Sequence, residues 1–92
     1  MAATVIVTLK IMPESTDTDL KRLSGAAAVK IKAFGGNAGK AETEPIAFGL
    51  KSLIILFSMP EEKGSTEELE KQISEIRGVR SVQVTDVRRA VG

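Results

Sequence analysis

Hydrophobic and polar residues alternate in two stretches of the chain, one near each end. From Ala3 to Met12 every odd-numbered position is apolar, while polar side chains occupy three of the even-numbered positions. From Val79 to Val87, Val82 and Val84 alternate with serine, glutamine and threonine. A period of two residues is typical of a strand that buries one face. The pattern therefore predicts a half-buried strand in each place.

Two other stretches repeat their apolar positions every three or four residues, which is the spacing of one helix face. The first follows Ser15–Asp19, a run of candidate N-caps. The second follows Ser65, which fits a capping box with Glu68, and precedes Gly78, a natural left-handed cap. We expect a helix in both places. The apolar positions are Leu20, Leu23, Ala27, Ile31 and Phe34 in the first helix, and Leu69, Ile73 and Ile76 in the second.

Between the two predicted helices lie a connector and two further strands. The glycine-rich run from Gly35 to Gly39 ends the first helix, and Lys40 to Ile46 is polar, as in an edge strand. Leu50 to Met59 is the most apolar stretch and predicts a central strand. The order strand, helix, strand, strand, helix, strand predicts an α+β fold of the ferredoxin-like β-α-β-β-α-β type, with two helices on one face of a four-stranded antiparallel sheet. We expect one such domain over residues 1–92.

The composition argues against several kinds of chemistry. The chain has no cysteine and no histidine, so we expect no disulfide, no thiolate metal site and no mechanism that depends on imidazole. The net charge of +1 gives no general attraction to nucleic acid or to an anionic membrane. The longest apolar run, Leu53 to Met59, is too short to span a bilayer, and the N-terminus reads as a strand. We therefore expect a cytoplasmic protein without a metal or other cofactor.

Two apparent chemical sites have simpler explanations. The run from Phe34 to Ala41 ends like a phosphate loop, but it lacks the first glycine and the final hydroxyl residue, and it follows a helix instead of a strand. Neighbouring carboxylates fit strand alternation, loop solvation or the charge of a helix N-terminus, and do not predict acid–base catalysis. These carboxylates are Glu42 with Glu44, Glu61 with Glu62, and Glu67 with Glu68.

The predicted fold supports several functions, and the residue types exclude some of them. A metal chaperone of this fold would use cysteines. An RNA-recognition motif would place aromatic side chains on the open face of the sheet, where this chain has threonine, serine and glutamine, so we expect no direct binding of nucleic acid. A small-molecule-sensing regulatory domain of the ACT kind stays open, because its sites consist of backbone groups and small residues.

One of the three aromatic residues, all of them phenylalanine, lies in a predicted turn. Phe48 stands between Pro45 and Gly49 in the connection before the central strand, where polar residues are usual. An aromatic side chain in a turn either anchors a partner by burying a large apolar area or packs as a lid over the edge of the sheet. The residue pattern alone leaves both interpretations open.

Four motifs along the chain belong together. In chain order they are MPES followed by a D-x-D-L helix start, Pro45-Ile46-Ala47-Phe48-Gly49-Leu50 before the third strand, GSTEELE at the second helix, and GVRSVQVTDVRR at the end. In this order they resemble the elongation factor 1-beta family, the guanine-nucleotide exchange factors of elongation factor 1-alpha. The resemblance covers nearly the whole chain, and the chain is similar to the archaeal form of the family. It implies GDP/GTP exchange on elongation factor 1-alpha, by stabilisation of its nucleotide-free state and without covalent catalysis.

The resemblance implies that the turn contacts the partner. In the family, the aromatic residue of the turn inserts into the G domain of elongation factor 1-alpha, and the matching residue here is Phe48. Pro45 and Gly49 shape the turn that holds it, and both are candidate partner contacts together with Ile46. Lys51 follows directly after this motif, which ends at Leu50, and is a further candidate contact.

The resemblance also draws attention to the C-terminal strand. Eukaryotic members place a lysine near the chain end that reaches the magnesium region of the partner. Counted from the shared Asp86, that position is Gly92, so the lysine is absent. Asp86, Arg88 and Arg89 are candidate partner contacts. The two arginines are the nearest cations, and together with Lys51 they are expected near the magnesium of the nucleotide. Guanidinium and ammonium groups are not interchangeable, and two arginines near a chain end are also commonly just solvated.

Overall fold

The computed structural model describes residues 3–90, which form four strands and two helices. In chain order these are β1 (Thr4–Pro13), α1 (Leu20–Phe34), β2 (Asn37–Pro45), β3 (Lys51–Pro60), α2 (Glu67–Ser74) and β4 (Val79–Arg89). This is the predicted order of elements. Within residues 3–90, neither helix is long and apolar enough to cross a membrane.

The four strands form one sheet in the spatial order β2-β3-β1-β4, and all neighbouring strands are antiparallel. β3 therefore lies inside the sheet, as its apolar sequence predicts. The helices pack on the same face, because α1 and α2 contribute buried side chains to one core with β1 and β3. This arrangement confirms the ferredoxin-like α+β fold.

The core lies between the sheet and the helices. Odd-numbered residues of β1 from Val5 on and of β3 from Leu53 on are buried, and the pairing aligns them across the strands, for example Leu9 with Ile55. Ile54 and Leu56, on the opposite face, stay partly exposed. Burial of one aliphatic side chain contributes about 1.5–3 kcal/mol, so this layer supplies most of the favourable free energy of folding. Its members are Val5, Val7, Leu9, Ile11, Leu23, Ala27, Ile31, Leu53, Ile55, Phe57, Met59, Leu69, Ile73 and Val79.

Helix α1 forms as its sequence predicts. Asp19 is the N-cap, and its Oδ1 accepts hydrogen bonds from the backbone N–H groups of Lys21 at 3.0 Å and Arg22 at 3.2 Å. These are two of the N–H groups that every helix leaves unpaired at its start. Gly35 ends the helix in the left-handed conformation, with φ of 104°. The buried face consists of Leu23, Ala27 and Ile31, with Leu20 and Phe34 partly buried beside them.

Helix α2 differs from its prediction at both ends. Its N-cap is Thr66, and the Oγ of Ser65 accepts a hydrogen bond from the N–H of Glu67 at 3.1 Å. The predicted capping box between Ser65 and Glu68 is therefore wrong, because the chain enters the helix one residue later. The helix also ends four residues before Gly78, which adopts a left-handed conformation in the turn that leads into β4.

Strand β2 begins earlier than its composition indicates. It starts at Asn37, inside the glycine-rich run that the sequence presents as a connector. All of its residues are exposed, as expected at the edge of a sheet. The register with β3 shifts between Ala38 and Ala41, which is a local irregularity of the pairing. Backbone hydrogen bonding to β3 thus makes a strand of residues whose side chains have little strand character.

Candidate functional site

The turn between β2 and β3 holds two consecutive residues in the left-handed conformation. Phe48 has φ of 61° and ψ of 32°, and Gly49 has φ of 76°. The N–H of Leu50 donates to the carbonyl oxygen of Ala47 at 3.2 Å, and the N–H of Ile46 donates to that of Leu50 at 2.8 Å. These are the features of a type I′ turn, whose twist matches that of the flanking strands.

Phe48 has a strained backbone and an exposed side chain. It is the one non-glycine residue with positive φ within residues 3–90. A bulky residue in this conformation costs of order 1–3 kcal/mol. The residue is 95% exposed, so its ring makes almost no contacts that would offset this cost. The interpretation of Phe48 as a lid over the sheet edge is therefore wrong. The turn instead presents an aromatic ring outward on a short, hydrogen-bonded frame.

A groove of about 480 Å³ lies beside this turn. Gly49 and Lys51 form one wall, and the loop from Pro13 to Leu20 forms the other. A methyl group at Gly49 would lie 3.8 Å from the Cγ2 of Thr16. The sequence presents this loop only as a set of helix caps. Its position follows from the topology, because the end of β1 and the start of β3 meet at one end of an antiparallel pair.

At the other end of the sheet, a bulge in β4 decides which way its last side chains point. Val84 pairs with one residue of β1 and Asp86 with the next, so the register skips Thr85. Side chains alternate between the two faces of the sheet. One skipped residue therefore places every later side chain on the face opposite to the one that unbroken alternation would give it. Arg88 therefore lies on the open face of the sheet, and Arg89 lies on the face that carries the helices.

Each of these arginines pairs with a different carboxylate. The Nε of Arg88 donates to the Oδ2 of Asp86 at 2.7 Å. Arg89 donates from Nε and Nη2 to the carboxylate of Glu61, in the turn after β3, at 2.7 to 3.1 Å. The four side chains are 45–80% exposed, so these pairs orient the guanidinium groups more than they stabilise the fold. The sequence shows Glu61 only as a loop carboxylate, and its partner is visible only from the strand order.

The turn and the arginines lie at opposite ends of the sheet. Lys51 stands eight residues before Met59, which shares a row of the sheet with Val5 and Arg89. At about 3.3 Å per residue, the row of Lys51 and that of Arg89 are about 26 Å apart. Lys51 and the two arginines therefore do not form one cluster, and their expected position near the magnesium of the nucleotide stays a prediction. Lys51 belongs instead to the region of the Phe48 turn.

The remaining electrostatic features of the described chain are modest. Within residues 3–90, no three acidic side chains lie close enough together to hold a metal ion. A hydrogen bond to the carboxylate of Glu42, at 2.8 Å, and the opposite charge of that group raise the pKa of Lys40. This pair lies on the exposed strand β2, away from both the turn and the arginines.

A small α+β fold that presents an exposed aromatic ring on a hydrogen-bonded turn is typical of a protein-binding domain. Comparison with known families makes this more specific. Residues 6–90 match the family described as the EF-1 guanine nucleotide exchange domain. The chain belongs to this family.

Individual relatives agree with the family match. The elongation factor 1-beta of Methanobrevibacter smithii is 44% identical over 85 residues, which cover 92% of this chain and 94% of the relative. That of Methanosarcina barkeri is 45% identical, with coverage of 92% and 96%. That of Metallosphaera sedula is 42% identical, with coverage of 92% and 93%. These matches confirm the resemblance carried by the four motifs and give no support to a small-molecule-sensing regulatory domain.

Proposed function

We propose that this chain accelerates the exchange of GDP for GTP on elongation factor 1-alpha by stabilising the nucleotide-free state of that GTPase. The family match and the names of the relatives support this function. The observation that carries it is the conformation of Phe48, which is 95% exposed and held in a left-handed conformation at the tip of a turn. Strained residues that persist in a fold are typical of functional sites.

Phe48 is the central contact in this proposal. An aromatic ring buries a large apolar area and has few side-chain torsions to lose on binding. The frame formed by Pro45, Ile46 and Gly49 fixes the direction of the ring before the partner arrives, which lowers the entropy cost of association. Lys51 supplies a cation at the base of the turn, beside the groove.

Exchange follows from thermodynamic linkage and needs no covalent step. If this chain weakens the binding of GDP by some factor, GDP weakens the binding of this chain by the same factor. Each tenfold of that coupling corresponds to about 1.4 kcal/mol. The chain therefore acts as an exchange factor, not as an enzyme that makes or breaks bonds.

The same proposal assigns no direct contact with nucleic acid. In an RNA-recognition domain of this fold, bases stack on aromatic side chains on the open face of the sheet. Phe57 is buried in the core, and Phe34 packs against the core from the last turn of α1. Neither lies on the open face of the sheet. We place the chain in the cytoplasm, where it works on a GTPase of protein synthesis.

The test is the release of a fluorescent GDP analogue from purified elongation factor 1-alpha. The parent chain accelerates release, and Phe48→Asn, added at equal folded concentration, is at least about tenfold less effective, as for the loss of a central aromatic contact. Asparagine tolerates the left-handed conformation, so the turn itself is kept. Val29→Ala is the matched control, because Val29 is another exposed apolar residue, 67% accessible on α1.

The possible outcomes separate the activity from the anchor. No acceleration by the folded parent chain at any concentration would refute the exchange function. Equal acceleration by the parent and Phe48→Asn would keep the function but refute the role of the ring. A loss with Val29→Ala as large as that with Phe48→Asn would show that the assay reports apolar surface in general.

A further inference from the structure

The two arginines at the end of β4 differ in the hydrogen-bond donors that remain available. An arginine carries five N–H donors, one on Nε and two on each terminal nitrogen. Arg88 uses Nε alone, to Asp86, and neither of its terminal nitrogens has a partner within residues 3–90. Arg89 uses Nε and Nη2 together, both to Glu61. The bond to Glu61 therefore occupies one branch of the terminal fork of Arg89.

This difference makes Arg88 the more favourable side chain for binding an oxyanion with two parallel bonds. Carboxylate and phosphate groups accept two N–H donors from a guanidinium, and this bidentate geometry is the strongest form of the contact. On Arg88 the fork formed by Nη1 and Nη2 is open to solvent, since the side chain is 80% exposed. An oxyanion at the same fork of Arg89 would share Nη2 with the carboxylate of Glu61 and lie beside its negative charge.

The position of Arg88 on the sheet adds to this difference. Arg88 and Arg89 both border a groove of about 470 Å³, which Ile6 and Leu56 also line, but only Arg88 lies on the open face of the sheet. Thr4 accepts a hydrogen bond from the N–H of Ala90 at 2.8 Å, so β4 stays paired beyond Arg88. A guanidinium on a paired strand is held in place better than one on a loop.

We propose that Arg88 binds an oxyanion of the partner GTPase, that Asp86 is the positioning residue for its guanidinium, and that Arg89 and Glu61 serve to fix the end of β4. This inference rests on the proposed exchange function. The oxyanion is either a carboxylate on the GTPase surface or a phosphate of its bound nucleotide. Asp86 lies two residues before Arg88 on the same face and accepts a hydrogen bond only from the Nε of that arginine. This bond directs the terminal fork of Arg88 away from the strand.

The test measures the affinity of the chain for elongation factor 1-alpha at several salt concentrations. Arg88→Ala weakens binding about tenfold to a hundredfold, the range expected for charge-assisted hydrogen bonds, and reduces the dependence of affinity on salt. Arg88→Lys restores only part of the loss, because an ammonium cannot form the bidentate contact. Lys71→Ala removes the same charge from an exposed position of α2 and keeps the affinity and salt dependence of the parent chain.

Asp86 is tested by a double-mutant cycle. Asp86→Asn weakens binding when Arg88 is present and has no further effect in the Arg88→Ala background, because it acts through the orientation of that side chain. A purely structural role would produce the same loss in both backgrounds. The cycle therefore distinguishes a positioning residue from one that merely supports the strand.

Two arms identify the source of the oxyanion. If it is a carboxylate of the GTPase, Arg88→Ala weakens binding to the GDP-bound and nucleotide-free forms alike, and if it is a nucleotide phosphate, the loss is confined to the GDP-bound form. Both results support the inference. If Arg89→Ala weakens binding as much as Arg88→Ala or more, the inference is overturned. Glu61→Gln breaks the same pair and serves as the control that the chain still folds equally well without it. Binding by the parent that Arg88→Ala leaves intact overturns this inference alone, whereas no binding by the parent overturns the proposed function as well.

Discussion

The Nη2 of Arg22 donates a hydrogen bond to the carbonyl oxygen of Arg77, 2.7 Å away. Arg22 lies in the first turn of α1 and Arg77 in the turn after α2, so this bond joins segments 55 residues apart. The next residue, Gly78, has φ of 98°, and a methyl group there would lie 2.9 Å from the same nitrogen. The turn into β4 therefore depends both on a long-range hydrogen bond and on the absence of a side chain.

Substitutions in this turn should be non-additive. Arg22→Met lowers the free energy of unfolding by about 1 kcal/mol through the lost hydrogen bond. Gly78→Ala lowers it by about 2 kcal/mol, because an alanine at positive φ is strained and meets Arg22. In the double variant Gly78→Ala costs less, since the colliding nitrogen is gone. Urea denaturation measures all three values, with Lys21→Met as the control for a charge removed from the same helix turn. Strictly additive losses would contradict the contact.

The strain at Phe48 predicts opposite effects on stability and activity. Phe48→Asn raises the free energy of unfolding by about 1 kcal/mol, because asparagine accepts the left-handed conformation and the exposed ring contributes little packing. Phe48→Leu keeps both the strain and the stability of the parent chain. Thermal unfolding measures the change, and about 1 kcal/mol corresponds to roughly 4–8 °C in a domain of this size. A lower Tm for Phe48→Asn would mean that the ring packs against the protein in solution.

Local sequence patterns predict most of the fold. The alternation in β1, the apolar face of α1 and the N-cap at Asp19 each depend on residues close in sequence, and the structure contains all three. The position of the turn that holds Phe48 follows from similar information, because Pro45 and Gly49 mark it. Features of this kind can be read along the chain because the interactions that cause them are local.

The features that the sequence does not reveal depend on pairing between distant segments. Nothing near Thr85 marks it as a bulge, since the bulge results from alignment of β4 with β1. The partner of Arg89 is Glu61, 28 residues away, and their contact requires the strand order of the sheet. The separation of Lys51 from the arginines has the same origin. The candidate site could therefore be predicted as a set of residues but not as an arrangement.

The pair between Glu61 and Arg89 should contribute little to stability. Both side chains are largely exposed, at 45% and 69%, so the pair is worth about 0.5 kcal/mol at low salt despite its bidentate geometry. Glu61→Gln and Arg89→Gln each remove this amount, and the double variant loses no more than either single one. At about 1 M salt the differences disappear, because exposed charges are screened. A loss that persists at high salt would indicate that the two side chains also pack together.

The pair between Lys40 and Glu42 predicts a change in titration. The hydrogen bond to Glu42 and its charge raise the pKa of Lys40 above the usual value of 10.5. A raised lysine pKa means that the pair is fully formed below the unfolded-state pKa and is lost as the pH rises through the folded-state pKa. In the Glu42→Gln variant the pKa of Lys40 falls. Side-chain NMR titration measures the shift, with Lys32, exposed on α1, as the internal control. Identical titration of Lys40 in the parent and the variant would show that the pair does not form in solution.

Deletion of Thr85 tests whether the bulge alone accounts for the register of β4. Val84 and Asp86 already pair with consecutive residues of β1, so the deletion joins them without moving Arg88 from the open face. The Oγ1 of Thr85 makes only a long contact, 3.5 Å, with the carbonyl oxygen of Thr8, and the loss in stability is about 1 kcal/mol or less. The variant is expected to keep the affinity of the parent chain for the GTPase.

Cross-strand nuclear Overhauser contacts between Thr8 and Asp86 report the register of the deletion variant directly. Thr85→Ala is the control, because it removes the hydroxyl group and keeps the extra residue. Insertion of one alanine after Asp86 has the opposite consequence: it moves Arg88 to the helix face and weakens binding as much as Arg88→Ala does. A folded deletion variant that pairs Thr8 with Val87 would show that side-chain packing on the two faces, and not the count of residues in β4, sets the position of Arg88.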